Sequence, residues 1–126
     1  MPRLTETGRL VLLAEDEPLV AAVIAELLSD LGYLPVVAAT GPEAIAAVRS
    51  DREFDLVVTD FSMPGATGRE VVAAVRDRYP TLPVLYVTGY DAADVLADVH
   101  RDAHLQILQK PFGAEGLKEA ITALAM

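Results

Sequence analysis

Cysteine is absent from this chain of 126 residues. Without thiols the protein has neither a disulfide framework nor a thiolate metal site, which fits a reducing compartment. Long hydrophobic runs are missing too, because charges interrupt each apolar stretch before it is long enough to span a bilayer. The first eight residues also lack the apolar core of a signal peptide. We therefore expect a cytoplasmic protein without a membrane partner.

Basic residues are scarce. Ten Lys and Arg stand against 19 Asp and Glu, which gives a formal net charge of -9. Proteins that bind a phosphate backbone depend on clustered Lys and Arg for most of their affinity. Direct binding to nucleic acid is therefore not expected. The acidic residues are spread along the chain, so most of them belong to a solvated surface.

The apolar content is high enough for one core. Hydrophobic residues make up 52% of a chain that has the length of one ordinary domain. Short apolar runs alternate with longer stretches of helical spacing, the pattern of βα units around a parallel sheet. Strands are predicted at residues 10–14, 34–38, 54–59, 84–88 and 105–109. Helices are predicted at residues 19–31, 42–50, 68–79, 92–101 and 114–125.

The residues that flank these segments support the assignment. Pro18 suits a first helical position, and Gly32 suits a helix C-terminus. The Thr-x-x-Glu spacing at Thr40 and Thr67 predicts two capping boxes, in which hydroxyl and carboxylate satisfy each other's backbone amides. Polar residues within the fifth strand indicate an edge strand. The predicted fold is α/β, a single doubly wound five-stranded parallel sheet of flavodoxin-like order 2-1-3-4-5 with helices on both faces.

Chemically distinctive residues stand at the C-terminal ends of four predicted strands. Glu15 and Asp16 follow the first strand, and Asp60 follows the third. Thr88 ends the fourth strand and Lys110 follows the fifth. These ends share one edge of a parallel sheet, where ligands bind, so the side chains are expected to converge. Converging carboxylates repel one another unless a hard divalent cation lies between them, which predicts Mg²⁺ or Mn²⁺.

The same set supplies what phosphoryl transfer requires. Lys110 and the metal neutralise charge on the phosphoryl oxygens, and Thr88 donates a hydrogen bond to one of them. Asp60 is the expected nucleophile, attacking phosphorus in line to form an aspartyl phosphate. Asp16 is expected to hold the metal directly, and Glu15 directly or through water.

With these residues in place, the chain resembles a response regulator receiver domain, the phosphoacceptor module of two-component signalling. The resemblance covers residues 9–126, which we expect to form the receiver domain after an N-terminal extension of residues 1–8. Its motifs, in the family's order, are Glu15-Asp16, Asp60-Phe61-Ser62-Met63-Pro64-Gly65-Ala66-Thr67-Gly68, Thr88-Gly89 and Lys110-Pro111-Phe112.

The resemblance implies a partner and a ligand set. A histidine kinase or a histidine phosphotransfer protein is expected to phosphorylate Asp60. Mg²⁺ is expected to be bound by Asp16, Asp60 and the backbone carbonyl of Ser62. The Lys110–Pro111 peptide is expected to be cis.

One position departs from the commonest receiver pattern. Many receivers carry a Tyr or Phe three residues before the lysine, and this side chain turns inward when the threonine moves toward the phosphate. Ile107 occupies that position here. Tyr86 or Tyr90, which flank Thr88, is a candidate to replace the moving aromatic, with ordinary strand packing as the alternative for Tyr86.

The resemblance also implies that two positions tune hydrolysis of the acyl phosphate. They are Ser62 and Tyr90, each two residues beyond a site residue. A bulky Tyr90 beside the phosphate obstructs the attacking water, which predicts a long-lived phosphorylated state. Residues 88–90, Thr-Gly-Tyr, also resemble a subgroup found in stand-alone receivers and at the ends of hybrid histidine kinases.

Three other functions compete with this interpretation. A phosphatase of the haloacid dehalogenase type needs a second Asp two residues after the nucleophile, where Ser62 stands. A flavodoxin-like cofactor binder needs a phosphate-binding loop after the first strand, for which Glu15-Asp16-Glu17 has the wrong charge. A degenerate receiver that serves only as a docking module is excluded by no single residue, but the complete acidic set argues against it.

The interpretation that we favour is a signalling phosphoacceptor and not a turnover enzyme. We expect only self-directed phosphoryl transfer and slow self-dephosphorylation. The output partner is expected at the face formed by the predicted fourth helix, the fifth strand and the last helix. The sequence leaves open whether the chain forms a homodimer. No output domain is expected, so the chain is a stand-alone relay, phosphate sink or contact regulator, or the terminal receiver of a larger kinase. The candidate contacts on that face, most of them expected in the core, are Val95, Leu96, Val99 and Leu117.

Overall fold

The computed structural model describes residues 9–61, 65, 67–89 and 102–125. Its strands are β1 (Arg9–Ala14), β2 (Tyr33–Ala38), β3 (Leu56–Asp60), β4 (Val84–Thr88) and β5 (Leu105–Gln109). Its helices are α1 (Pro18–Asp30), α2 (Gly41–Val48), α3 (Gly68–Arg78) and the C-terminal helix, Ala114–Ala125. The helix predicted at residues 92–101 lies outside the described residues.

The five strands form one parallel sheet in the order β2-β1-β3-β4-β5. The predicted order and the edge position of β5 are therefore confirmed. β3 and β4 are apolar almost throughout because helices cover both faces of the sheet. One apolar cluster packs the sheet against α2 and α3, and a second packs it against α1 and the C-terminal helix. No helix in the described part of the chain has the length and apolarity to cross a membrane.

Local interactions explain where elements begin and end. The capping box at Thr67 is complete, since its hydroxyl and the Glu70 carboxylate each accept a backbone N–H of the other residue. At Thr40 the prediction is half right, because the Glu43 carboxylate accepts instead from the Ala39 N–H at 2.8 Å. Gly32, with a φ of 95°, follows α1 as predicted.

The third strand begins two residues later than predicted. The Asp55 side chain explains this difference, because its Oδ2 accepts the Leu10 N–H at 2.9 Å, a donor of the neighbouring strand. The Asp55 N–H in turn donates to the Leu10 carbonyl at 2.7 Å. The Asp55 side chain thus takes the place of one backbone acceptor between β3 and β1, so β3 starts only at Leu56.

Candidate functional site

Three carboxylates meet at the carboxyl edge of the sheet. Side-chain oxygens of Glu15, Asp16 and Asp60 lie within 4.8 Å of one another. Glu15 and Asp16 directly follow β1, and Asp60 is the last residue of β3, which pairs with β1. The predicted convergence of these acids therefore holds in the structure.

Lys110 brings a positive charge to this cluster. Its Nζ donates to Glu15 Oε1 at 3.1 Å and lies 3.6 Å from Asp60 Oδ2. The backbone positions it, because the Lys110 N–H donates to the Thr88 carbonyl at 2.7 Å. The Lys110–Pro111 peptide bond is cis, as expected. The ends of β4 and β5 are thus joined directly at the site.

An open cavity of about 540 Å³ lies over the cluster. Asp60 and Lys110 are both partly exposed toward solvent, with 13% and 26% of their side chains accessible. Thr88 and Asp16 face the same cavity, so it brings together the carboxylates, the ammonium and the hydroxyl whose convergence the sequence predicted. The lining residues are Asp16, Glu17, Val20, Asp60, Phe61, Thr88, Gly89 and Lys110.

Glu15 differs from the other two acids because it is buried beneath the cavity. Only 1% of it is exposed, and it is not part of the cavity lining. One carboxylate oxygen accepts from Lys110, and the other accepts the Glu17 N–H at 3.1 Å. Burial raises the pKa of Glu15; together with a smaller upward contribution from the Asp60 charge, it outweighs the lowering by these two hydrogen bonds and by the Lys110 charge. Glu15 is therefore engaged within the protein, whereas Asp16 and Asp60 face the cavity.

The ammonium of Lys110 is held in its charged form. Partial burial works against that charge, but the hydrogen bond to Glu15 and the charges of Asp60 and Glu15 outweigh it and raise the pKa of Lys110. The cavity thus holds a fixed positive charge 3.6 Å from the Asp60 carboxylate.

The segment that follows Asp60 is fixed by a close backbone approach. The Gly68 N–H donates to the Phe61 carbonyl at 2.7 Å. A methyl group on Gly68 would lie 2.6 Å from the carbonyl oxygen of Asp60 and 2.8 Å from Cα of Phe61. In the sequence, Phe61 and Gly68 were identified only as motif residues, and their close backbone contact was not predicted. A glycine at the first position of a helix that follows Asp60 closely in the chain is the signal that would have indicated this approach.

Tyr86, a candidate switch residue, lies inside the core. It is 1% exposed and belongs to the cluster between the sheet and α3. Its ring meets the Phe61 ring edge-on, with centroids 5.7 Å apart and planes at 80°. Ile107 is its partner in the register of β4 with β5.

Several predicted residues fall outside the described part of the chain. They include two with proposed roles at the site, Ser62 and Tyr90. Of the candidate contacts of the output face, Leu117 is fully buried and is a core residue, as expected for most of them. The other three, also outside the described residues, are Val95, Leu96 and Val99.

The described donor set fits a hard divalent cation. All three groups of the cluster are carboxylates, and oxygen ligands are those that Mg²⁺ and Mn²⁺ prefer. Burial, and to a smaller extent the Asp60 charge, raises the pKa of Glu15, and a cation among the three carboxylates would offset both effects.

Known sequences resemble this chain along most of its length. Residues 11–122 match the family model described as response regulator receiver domain. Response regulator protein FleR of Pseudomonas aeruginosa is 37% identical over 119 residues, 92% of this chain and 24% of FleR. Chemotaxis protein CheY of the same organism is 34% identical over 113 residues, 88% of this chain and 91% of CheY. The chain thus spans about a quarter of one relative and nearly all of the other.

Solved structures agree with the sequence relatives. A response regulator receiver protein from Sinorhizobium medicae has a TM-score of 0.85 at 29% identity, and the match covers 93% of this chain and 94% of that one. Chemotaxis response regulator CheY4 of Vibrio cholerae has a TM-score of 0.83 at 30% identity over 94% of this chain and 99% of that one.

Proposed function

This chain belongs to the response regulator receiver family, and from that premise we propose that Asp60 accepts a phosphoryl group from a histidine kinase or a histidine phosphotransfer protein. Receiver domains are modules of two-component signalling and not enzymes of the usual turnover kind. The observation that carries the proposal is the placing of Asp60 on the cavity surface, 3.6 Å from Lys110 and among two further carboxylates.

The proposed transfer is an in-line displacement. An Asp60 carboxylate oxygen attacks the phosphorus of the donor's phosphohistidine, forming a P–O bond while the P–N bond breaks and the electron pair stays on the imidazole. Lys110 neutralises charge on the phosphoryl oxygens, and the Thr88 hydroxyl donates to one of them. Glu15 acts on Lys110, which it holds by a hydrogen bond at 3.1 Å.

Receiver domains bind Mg²⁺ in an acidic pocket, and the cluster of Glu15, Asp16 and Asp60 is that pocket here. We propose that Asp16 and Asp60 hold the ion directly, since both line the cavity, while Glu15 acts through water or through Lys110. By resemblance, the backbone carbonyl of Ser62 completes the protein ligands. Bound Mg²⁺ supplies positive charge against the phosphoryl oxygens.

Phosphorylation is proposed to change a protein interaction. It adds about -1.5 to -2 charges beside Lys110 and Thr88. The elements of the proposed output face follow these two residues in the chain, β5 after Thr88 and the C-terminal helix after Lys110. That face comprises β5, the C-terminal helix and the helix predicted at residues 92–101, and it can serve a downstream protein or a second copy. This role is compatible with a protein of the length of CheY and with a longer protein such as FleR.

Turnover of phosphomonoesters is the rival function. Such a phosphatase needs an acid two residues after the nucleophile, and Ser62 stands there. We therefore propose slow loss of the phosphoryl group from Asp60, further slowed by Tyr90. Steady phosphate release from a model monoester would favour the phosphatase. The proposed role of Tyr90 requires that Tyr90→Ala lose its phosphoryl group faster than the parent does.

The deciding experiment is phosphorylation of the chain by acetyl phosphate in the presence of Mg²⁺, followed by intact mass. We expect the parent to gain one phosphoryl group and Asp60→Asn to gain none. Exposed Asp51→Asn is the matched control and should be labelled like the parent. Labelling of Asp60→Asn would refute the proposal, and a parent that no donor modifies would favour a docking module without phosphoacceptor activity.

A further inference from the structure

The ring of Tyr86 fills the space beneath the phosphoacceptor segment. Tyr86 and Thr88 are two residues apart on β4, so both side chains lie on the same face of the sheet. Ile107 stands beside Tyr86 on β5, at the same level. The aromatic ring under the threonine therefore comes from β4 in this chain, and it is buried already in the unphosphorylated protein.

Tyr86 also touches the point where the two ends of the phosphoacceptor segment meet. A methyl group on Gly68 would lie 3.0 Å from Tyr86 Cε1, in addition to its clashes with the backbone of Asp60 and Phe61. Phe61 rests edge-on against the same Tyr86 ring and donates its N–H to the Val87 carbonyl at 3.2 Å. The ring thus supports both sides of the junction that carries the Asp60 carboxylate.

Arg69 extends this packing to the start of α3. Its guanidinium carbon lies 5.8 Å from the centre of the Phe61 ring, within the range of cation–π contacts. Phe61 is therefore in contact with Tyr86 and with Arg69, and it lines the phosphoacceptor cavity as well. Phe61, which lines the cavity, is therefore held by Arg69 on one side and by the buried ring of Tyr86 on the other.

We propose that Tyr86 is a positioning residue: its ring supports Phe61 and the Gly68 junction, and so holds the Asp60 carboxylate in reactive geometry. It keeps its place on phosphorylation and does not act as the moving aromatic. This inference rests on the proposed phosphoacceptor role of Asp60. The physical reason is that misplacing a nucleophile by about 1 Å can slow a reaction by roughly 100-fold.

The test compares rates of phosphorylation by acetyl phosphate with saturating Mg²⁺. Tyr86→Leu is expected to react about 10- to 100-fold more slowly than the parent, because the smaller side chain leaves Phe61 without support. Tyr86→Phe keeps the ring and its contacts with Phe61 and Gly68, and it is expected to react several-fold faster than Tyr86→Leu. Leu85→Val is the control, because Leu85 is equally buried but faces the other cluster. It should lose stability without losing rate.

Two further measurements separate the outcomes. If Tyr86→Leu does not fold, Phe61→Leu removes the same ring contact from the Phe61 side. The proposal then requires that Phe61→Leu be phosphorylated more slowly than the parent. Ring resonances of Tyr86, assigned by their loss in Tyr86→Phe, should stay those of a buried ring when beryllofluoride is added. A parent-like rate in Tyr86→Leu, or in Phe61→Leu, overturns the positioning role, as does a ring that becomes exposed. If the parent itself is not phosphorylated, it is the phosphoacceptor function that fails.

Discussion

The three acids of the site do different work although they are close together. Asp16 and Asp60 face the cavity, while Glu15 is buried and bonded to Lys110 and to its own turn. A buried carboxylate is costly unless a cation and hydrogen bonds compensate it, and Lys110 and the Glu17 N–H provide both. Glu15 thereby holds Lys110 near Asp60, which makes the ammonium part of the site and not a mobile surface charge.

Gly68 is the residue whose substitution should damage the site most without touching a charge. In Gly68→Ala the new methyl group lies 2.6 Å from the Asp60 carbonyl oxygen, so the backbone has to shift. We expect a loss of about 1–3 kcal/mol in the free energy of unfolding, as for other overpacked positions, together with slower phosphorylation. Urea unfolding and the acetyl phosphate assay measure the two effects.

Gly116→Ala is the matched control for that prediction. Its methyl group would meet only side-chain atoms of Phe112 and Leu108 at 3.7 and 3.9 Å, which are ordinary contacts. Alanine within the C-terminal helix should therefore stabilise the protein by about 0.5–1 kcal/mol. A Gly68→Ala protein as stable as the parent would show that the backbone accommodates the methyl group freely.

The site residues were predictable to different degrees. Asp60 and Lys110 follow apolar runs that read as strands, and strand ends of a parallel sheet share one edge, so their convergence follows from topology. The burial of Glu15 and the contact of Tyr86 with Gly68 depend on side-chain packing between distant segments. No local pattern encodes such a contact, so only the three-dimensional structure reveals it.

The helices and strands were predictable where their signals are local. β4, β5 and the C-terminal helix have the bounds that their apolar patterns predict. The start of β3 was wrong because Asp55 pairs with Leu10 of another strand, 45 positions away. Interactions over such separations decide the ends of elements, while periodicity decides their existence.

The Arg76 guanidinium connects α3 to the segments that precede β4 and β5. All five N–H donors of Arg76 are used, two of them on Asp102 and the others on backbone carbonyls of Tyr79, Leu82 and His104. Asp102 also accepts the His104 N–H at 2.9 Å. Burial works against the Asp102 charge, but the hydrogen bonds from Arg76 and His104 outweigh it and lower the pKa of Asp102.

Asp102→Asn should therefore change both stability and its dependence on pH. Removing the charge partner of Arg76 should cost about 1–3 kcal/mol in the free energy of unfolding near pH 7. Because the folded pKa lies below the ordinary value of 3.8, the contribution of Asp102 is full above that pH and is lost as pH falls through the folded pKa. Urea unfolding between pH 2.5 and 7 should thus show a smaller acid-induced loss in the variant.

Exposed Asp77 on the same helix provides the comparison. Asp77→Asn should leave the free energy of unfolding within about 0.5 kcal/mol of the parent, as is usual for surface changes. If Asp102→Asn and the parent lose the same stability on acidification, other carboxyl groups account for the pH dependence.

Helix α1 exposes apolar side chains beside the mouth of the site. Leu19 is 82% and Val23 57% exposed. With Phe112 they line a depression of about 310 Å³ that shares Val20 and Lys110 with the cavity over the acidic cluster. A protein that brings a phosphohistidine to Asp60 must contact the surroundings of that cavity, and this apolar surface is one that it can bury.

Leu19→Gln should consequently slow transfer from a protein donor but not from acetyl phosphate. With a phosphorylated histidine kinase that labels the parent, we expect kcat/KM to fall about tenfold, the effect of losing one well-buried interface contact. Leu34→Gln, exposed on β2 and not part of this depression, should react like the parent. Equal rates for Leu19→Gln and Leu34→Gln would mean that the donor docks elsewhere.

For the whole molecule, the acidic cluster links metal binding to stability. Three carboxylates are held within 4.8 Å in a chain with a formal net charge of -9, so the folded protein carries a local repulsion that the unfolded chain lacks. A ligand that binds only the folded state stabilises it by about 2.7 kcal/mol at 100 times its Kd. Saturating Mg²⁺ should therefore raise Tm by roughly 10 °C for a chain of this length, and EDTA should reverse the change.

Asp16→Asn separates metal binding from general effects of salt on an acidic protein. The variant removes one of the repelling charges, so without Mg²⁺ its Tm should equal or exceed that of the parent. Having lost a cavity-facing ligand, it should show little of the Mg²⁺-dependent increase, whereas exposed Asp51→Asn should show all of it. If Asp16→Asn responded to Mg²⁺ like the parent, the ion would be acting by screening and not by binding among Glu15, Asp16 and Asp60.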